Sequence, residues 1–325
     1  MTLSRRAFLA ALAASIIAPT TGEAQSATKI ARIGWVGSGP RPSTSAFLDA
    51  FRQGLRDRGW VEGRTFVLET RWGASGEARE LTLGLVTWKP DVVVAQGPMI
   101  FGVRAAAGTI PVVFGFSGDP VEAGFVASLA KPGGTLTGMT FLGFELVGKR
   151  LELLKDAIPG VSRVAILANP SHAGEQTELR ESRAAAQRLG MTVQYLRVAR
   201  PADFEAVFEA IVRERAEAIV AFPDVLIVAQ AGAVAEFASR RRIPAISGWA
   251  EFADAGNVMT YGPNLHESWR QIASYVDRVL KGARPADLPV GLPTTFETVI
   301  NVRAARAIGL TIPPALLLRA DRIIE

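Results

Sequence analysis

The sequence predicts an α/β protein made of two lobes, each built on a parallel β-sheet. Short apolar runs alternate with amphipathic helical segments along most of the chain, which is the pattern of consecutive βαβ units. One series of these units ends near the middle of the chain and a second series begins there. The length of 325 residues also suits two domains better than one.

The first series opens with a strand at residues 29–36, whose apolar run leads into a Gly-Ser-Gly loop. Helical spacing of apolar side chains predicts a helix over 45–58, and a second helix follows at 77–88. Alternation of apolar and polar residues predicts a strand at 65–71. The runs at 91–95 and 110–114 are apolar throughout and predict strands that are buried on both faces.

The second series begins with a helix over 145–156. Strands are predicted at 163–167, 192–197, 218–221, 244–247 and 258–261, with helices at 175–189, 203–215 and 225–241. A helix at 265–280, a strand at 297–301 and a short helix at 302–308 close the chain. This last segment must pack on one of the lobes or cross between them.

The composition excludes several classes of protein. The chain has no cysteine, which rules out disulfides, cysteine-ligated zinc, thiol nucleophiles and a lipidated N-terminal cysteine. The net charge is +5, but no long run of lysine and arginine marks a nucleic-acid surface. No nucleic-acid partner is therefore expected.

Residues 1–27 predict an export signal. Arg5 and Arg6 precede an apolar run at 7–18, and small residues that suit a cleavage site follow. A run of about 12 residues is too short to span a bilayer, which needs about 20. The paired arginines indicate the Tat route, and a Sec signal that carries two arginines is the alternative. The sequence thus predicts a periplasmic protein whose mature chain has no membrane span.

The candidate ligand-binding residues are chosen by their position after predicted strands. Ligands of open parallel sheets bind beyond the carboxyl ends of the strands. The loops there offer hydroxyls for a carboxylate (Ser38, Ser117), carboxylates for an amine (Asp119, Asp224) and aromatic rings for stacking. The full candidate set is Trp35, Ser38, Gln96, Gly97, Phe116, Ser117, Asp119, Asn169, Ser171, Asp224, Trp249 and Tyr261.

Several of these residues have a purely structural alternative. Asp119 and Asn169 each precede a proline and are common in turns. Asp224 has the position and chemistry of a helix N-cap. Trp35 and Phe116 are of types that often fill a core.

The sequence shows no catalytic or metal site. Residues 143–150 match a phosphate-binding loop except that Arg150 replaces the final hydroxyl residue, and no strand is predicted before them. His172 and His266 are the two histidines, and neither has a visible nucleophile partner. His172 is interpreted as a solvated loop residue. No enzyme activity, metal or cofactor is expected.

Long stretches of the chain carry a family resemblance. They lie at residues 115–121, 128–138, 145–154, 261–264, 279–290, 293–297 and 309–321, and include Gly115-Phe116-Ser117-Gly118-Asp119-Pro120. In this order they resemble the ABC-transporter substrate-binding family, whose characterised members include tryptophan- and phenylalanine-type amino-acid receptors. The resemblance spans about residues 30–325 and departs from common family patterns at Gln96-Gly97 and Gly248-Trp249.

This resemblance implies a periplasmic-binding fold of type I, with two Rossmann-like lobes joined by a hinge of several strands. It implies that 28–142 with 262–290 form lobe one and that 143–261 with 291–325 form lobe two. The hinge would lie near 141–144, 261–263 and 290–293. The Leu265–Leu280 helix would belong to lobe one, and the final strand and helix to lobe two.

The expected function is that of an exported, monomeric receptor of an ABC importer. It would bind an amino acid or small aromatic carboxylate between its lobes and pass it to a permease with its ATPase. Two alternatives remain open: an α/β enzyme acting on a small metabolite, and a ligand-sensing receptor subunit. Turnover of an added substrate would favour the enzyme. Neighbouring permease and ATPase genes would favour transport over sensing.

Overall fold

The computed structural model describes residues 29–39, 41–141, 146–172 and 174–325. The predicted signal at 1–27 lies outside these residues, as does 142–144 of the first predicted hinge segment. Two sheets organise the described chain, so the predicted α/β class with two lobes is confirmed. We call the five-stranded sheet with the helices packed on it lobe one, and the seven-stranded sheet with its helices lobe two.

Lobe one has five parallel strands in the order β2-β1-β3-β4-β5. The central strands are buried on both faces because helices cover each side of the sheet. The strands are β1 (Ala31–Ser38), β2 (Phe66–Gly73), β3 (Val92–Gln96), β4 (Val112–Phe116) and β5 (Leu136–Thr140). The helices between them are α1 (Arg41–Arg56), α2 (Ala78–Val86) and α3 (Ile100–Ala106).

Lobe two has seven strands in the order β12-β11-β10-β9-β8-β6-β7. Its strands are β6 (Arg163–Ala168), β7 (Thr192–Arg197), β8 (Ala218–Ala221), β9 (Ala245–Ser247), β10 (Met259–Pro263), β11 (Phe296–Asn301) and β12 (Arg322–Ile324). The helices from α4 to α9 are Val147–Ala157, Glu175–Arg188, Phe204–Arg213, Val225–Ala229, Ala231–Arg241 and Ala250–Asp254. After β10 come α10 (Leu265–Leu280), α11 (Val302–Ala307) and α12 (Pro314–Leu317).

The two lobes are connected by strands that pair with each other. β10 is antiparallel to β11, with Met259 opposite Ile300 and Pro263 opposite Phe296. The sheet of lobe two is therefore mixed, whereas the sequence predicted parallel strands. The antiparallel pair arises because the chain leaves this sheet through β10 and returns to it through β11.

The segment between these strands belongs to lobe one by its contacts. Helix α10 packs on α1, where Gly54 lies so close to the backbone of Arg270 that a Cβ would be 2.3 Å from its carbonyl oxygen. The Trp60 indole N–H donates to Asp277 at 2.8 Å. Further on, the backbone N–H of Gly291 donates to the carbonyl of Gly138, next to the free edge of β5.

The hydrophobic core has a layer on each face of each sheet. Alternate residues of β3 enter opposite layers, with Val92 and Val94 on one face and Val93 and Ala95 on the other. The face that carries Val92 is rich in aromatic side chains, and we call it the aromatic cluster. Its buried members include Trp35, Phe47, Phe51, Phe141, Trp249 and Trp269.

Several predicted elements needed correction. The helix predicted over 225–241 is two helices. The backbone of Gln230 has a φ of −104° and a ψ of 12°, outside the helical region, and its N–H donates to the carbonyl of Ile227 at 3.1 Å, which ends α7. The strands β5 and β12 and the helices α3, α9 and α12 were not predicted. The three helices have seven, five and four residues, too few for an apolar period to be visible.

Candidate functional site

The candidate residues of lobe one lie where β1, β3 and β4 end. Ser38 is the last residue of β1, and its backbone N–H donates to the side-chain oxygen of Gln96, the last residue of β3, at 3.3 Å. Both side chains are buried. Gly97 follows with a left-handed φ of 55°, which a residue with a Cβ rarely adopts. The hydrogen bond between the Ser38 backbone and the Gln96 side chain thus joins the end of β1 to the end of β3.

The loop after β4 serves two roles. Phe116 is buried against the rings of Phe101 and Phe125. Ser117 is also buried. Asp119 accepts hydrogen bonds from the backbone N–H groups of Val121 and Glu122 at 2.7 and 3.2 Å, so it has the turn-capping function that was its structural alternative.

The candidate residues of lobe two form a polar pair at the ends of β6 and β8. The side-chain amide of Asn169 donates to Oδ1 of Asp224 at 3.2 Å. The same oxygen accepts from the N–H of Leu226 at 2.9 Å, so Asp224 caps α7. In the described part of the chain, Oδ2 of Asp224 has no hydrogen-bond partner although the residue is only 5% exposed. Ser171 is exposed, and its N–H donates to Asn169.

The strand ends of the two lobes meet. Oγ of Ser117 in lobe one is 2.6 Å from Nε2 of His172 in lobe two. A Cβ placed on Gly97 would be 3.7 Å from a methyl group of Val225, the first residue of α7. These contacts bring the candidate residues of both sheets to one site between the lobes.

Two of the aromatic candidates, Trp35 and Trp249, lie in the aromatic cluster. Trp35 is fully buried among Phe51, Trp72 and Trp269, with ring centroids 5.0 to 6.2 Å away. Trp249 follows β9 of lobe two and yet is buried in the aromatic cluster of lobe one. The indole N–H of Trp35 has no partner among the described residues. Trp249 is thus a second contact between the lobes.

Tyr261 is separated from the other candidates. Its ring packs on the core layer of lobe two that contains Ile166 and Val220. Its carbonyl oxygen accepts a hydrogen bond from Nε of Arg150 at 3.0 Å. The residue therefore contributes its backbone, and not its ring, to the neighbourhood of the strand ends.

A buried ion pair lies behind the strand ends of lobe two. Nη1 of Arg150, on α4, is 3.0 Å from Oε1 of Glu178, on α5, and the side chains are 0% and 2% exposed. Burial raises the pKa of Glu178 to about 8, against the opposing effect of Arg150. Nη2 of Arg150 has no partner in the described chain. It lies beside Gly248 and Pro223 in the loops after β9 and β8.

His172 and Arg150 were not selected from the sequence as residues of the site. His172 was interpreted as a solvated loop residue, and this was wrong, because its ring contacts Ser117 and Phe116 of the other lobe. No local signal distinguishes such a histidine from a solvated one. Arg150 sits in a charged helical stretch that also contains Lys149. Its one signal is that it lies on the same helical face as Val147 and Leu154, which are apolar.

The described residues contain no group of three histidine, cysteine, aspartate or glutamate side chains that could hold a metal ion. No helix among them is both long enough and apolar enough to cross a bilayer.

Comparisons with known proteins agree with this architecture. A family model described as "ABC transporter substrate binding protein" matches residues 40–324. The tyrosine-binding protein of Clostridioides difficile is 22% identical over 272 residues, which cover 83% of this chain and 78% of that protein. A conserved domain protein of Vibrio cholerae superposes with a TM-score of 0.85 and 26% identity, covering 91% of this chain and all of that one.

A second solved structure is a Streptococcus pneumonia ABC domain in complex with L-Trp. It superposes with a TM-score of 0.84 and 25% identity, and covers 91% of this chain and 100% of that chain. The matched residues 40–324 include every strand except β1 and all the candidate site residues except Trp35 and Ser38. The chain therefore belongs to the family of ABC transporter substrate-binding proteins.

Proposed function

We propose that this protein is the solute receptor of an ABC importer and that it binds an amino acid or small aromatic carboxylate between its two lobes. The observation that carries the proposal is the meeting of the strand ends of both sheets, through Ser117 with His172 and Gly97 with Val225. Ligands of parallel sheets bind at such ends. The tyrosine-binding relative and the L-Trp complex support an amino acid as the ligand class.

The charges at the site favour a zwitterion held in one orientation. On the lobe-two side, Asp224 is buried and its Oδ2 is free of protein partners in the described chain. A ligand ammonium group would satisfy this oxygen with a charge-assisted hydrogen bond. On the lobe-one side, Ser38, Gln96 and Ser117 are uncharged hydrogen-bonding groups. They suit the carboxylate of the same ligand.

Binding in this scheme involves no chemical step. The ligand would contact both lobes in a closed state and only one of them in an open state, so it would stabilise the closed state. The hinge would lie at the crossovers near 141–144, 261–263 and 290–293. The antiparallel pairing of β10 with β11 is consistent with a hinge there, because it joins two crossovers by backbone hydrogen bonds.

The remaining parts of the proposal follow the sequence. Residues 1–27 would direct export by the Tat route and be removed, which agrees with a family that is typically extracytoplasmic. Lobe one would comprise 28–142 with 262–290, and lobe two 143–261 with 291–325. The monomeric closed form would deliver its ligand to a permease and its ATPase. The mass of the protein recovered from the periplasm tests the removal of the signal.

The ligand is tested by thermal shift of the mature chain with L-tryptophan, L-tyrosine, L-phenylalanine, benzoate and small sugars. A ligand at 100 times its Kd adds about 2.7 kcal/mol of stability. A panel in which no compound raises the melting temperature would contradict the proposal.

Asp224→Asn tests the orientation of the ligand. The substitution removes the negative charge but keeps an oxygen for the α7 cap. A charge-assisted hydrogen bond is worth about 1.5–3 kcal/mol, so we expect affinity for the amino acid to fall about 10- to 100-fold. Asp156→Asn, at an exposed ion pair with Arg319, is the matched control and should leave affinity unchanged. Equal affinity of Asp224→Asn and the native protein would contradict the assignment.

A further inference from the structure

The imidazole of His172 is held by two consecutive residues of the opposite lobe. Nε2 is 2.6 Å from Oγ of Ser117, which is 7% exposed. The ring of Phe116 lies nearly parallel to the imidazole, with centroids 6.3 Å apart and an angle of 26°. Among the described residues, no other hydrogen bond between side chains joins a loop after a lobe-one strand to a loop after a lobe-two strand. His172 therefore fastens the two lobes at the candidate site.

The backbone fixes His172 on the loop that also carries the polar pair of lobe two. The N–H of His172 donates to the carbonyl of Asn169 at 3.0 Å, and its own carbonyl accepts from the N–H of Glu175 at 3.1 Å. Asn169 in turn donates to Asp224. A displacement of the imidazole would therefore move the loop that positions the proposed ammonium contact.

The surroundings of the ring favour its neutral form. Burial lowers the pKa of His172 below its ordinary 6.5, and this exceeds the opposite effect of the Asp224 and Glu175 carboxylates. From lobe one, the groups that contact the ring are Ser117 and Phe116, and neither carries a charge at neutral pH. A protonated imidazole would thus lose hydration that its neighbours do not fully replace.

We propose that His172 is a positioning residue for ligand binding, whose neutral imidazole fastens Ser117 across the lobes and makes ligand affinity fall in acid. The inference rests on the proposed function, because it assumes that the ligand is bound when the lobes meet. It goes further in naming a group that controls closure without contacting the ligand.

The direction of the pH effect follows from the two states of the ring. With the lobes apart, the imidazole is in water and titrates near 6.5. With the lobes together, its pKa is depressed, so closure must expel a proton whenever the pH is below about 6.5. The contribution of His172 to closure is complete above that pH. It declines by up to about tenfold in affinity per pH unit below it, until the pH reaches the pKa of the closed form.

The contact itself is tested by NMR titration of the mature chain, first without ligand and then with a compound that binds in the thermal-shift panel. The chain has two histidines, so His172→Gln identifies which imidazole signal belongs to which residue. We expect saturating ligand to lower the pKa of His172, and Ser117→Ala to weaken this response. A His172 pKa that ligand does not lower, or a response that Ser117→Ala leaves unchanged, would overturn the proposal.

The effect on affinity is tested by calorimetric titration with L-tyrosine and L-tryptophan between about pH 8 and about pH 5.5. His172→Gln keeps a hydrogen-bonding amide near the position of Nε2 but does not titrate. We expect it to bind within a few-fold of the native protein at about pH 8 and to lack the decline in acid. His266→Gln is the matched control and should keep the native decline.

The outcomes separate this inference from the proposed function. If His172→Gln declines in acid as steeply as the native protein, the role given to His172 is wrong although the ligand assignment stands. If neither amino acid binds at any pH, the amino-acid assignment fails, and the NMR titration with another compound that binds in the thermal-shift panel still decides whether His172 fastens the lobes.

Discussion

The buried pair of Arg150 and Glu178 predicts a large loss of stability on replacement of one partner only. Arg150→Met leaves the Glu178 carboxyl buried without its cation and leaves the Tyr261 carbonyl without the Nε donor. Breaking a buried pair in this way costs about 3–5 kcal/mol. Because burial already raises the pKa of Glu178 to about 8, the carboxyl can take up a proton, which places the expected loss at the lower end of this range.

The double variant Arg150→Met/Glu178→Leu removes both charges and should recover most of that loss, because apolar side chains of similar size replace a buried pair at little cost. Arg240→Met is the matched control: its partner Glu236 is exposed, and such pairs contribute less than about 1 kcal/mol. Urea denaturation followed by far-UV circular dichroism measures all three. The reasoning is refuted if Arg150→Met costs no more than Arg240→Met, or if the double variant is no more stable than the single one.

Two further predictions concern a close backbone approach and a buried carboxyl. Gly262→Ala would place a Cβ 1.8 Å from the carbonyl oxygen of Gly248, so it should lower the free energy of unfolding by about 1–3 kcal/mol or more. Gly84→Ala, in open space within α2, is the control and should raise it by about 0.5–1 kcal/mol. Equal effects of the two substitutions in urea denaturation would contradict this reasoning. Burial raises the pKa of Glu251 above its ordinary 4.5, and its Oε2 has no partner in the described chain. Stability should therefore fall as the pH rises above 4.5, and Glu251→Gln should stabilise the protein at about pH 8 more than at about pH 5; an equal change at both pH values would contradict the assignment.

Much of the fold could be predicted because its elements are long and locally encoded. The bounds of β7, β8 and α10 agree with the predicted ones, since β7 and α10 are periodic patterns that end at or just before a basic residue, and β8 is an apolar run that ends before Phe222-Pro223. β5 was not predicted because Gly138 interrupts its five residues and lowers their strand propensity; backbone pairing with β4 stabilises the strand. The antiparallel direction of β11 depends on where the chain returns to lobe two, which no local pattern encodes.

The candidate site was predictable in its location but not in its contacts. The rule that ligands bind at strand ends selected Ser117, Asn169 and Asp224, and the structure brings these loops together. The rule could not identify His172, whose contacts come from residues about 55 positions away in the chain. Nor could it separate Asp119, which caps its own turn, from Asp224, which caps a helix and keeps one oxygen free.

The aromatic cluster has a consequence for how the molecule can be observed. The chain has six tryptophans, and five of them lie in this cluster or against it: Trp35, Trp249 and Trp269 within it, and Trp60 and Trp72 at its margin. Trp249 is the one contributed by lobe two. The native fluorescence of the protein therefore reports mainly on a single place, and withdrawal of one indole from that place into water would shift the emission to longer wavelength. Intrinsic tryptophan fluorescence can therefore follow the separation of the two lobes without an added label.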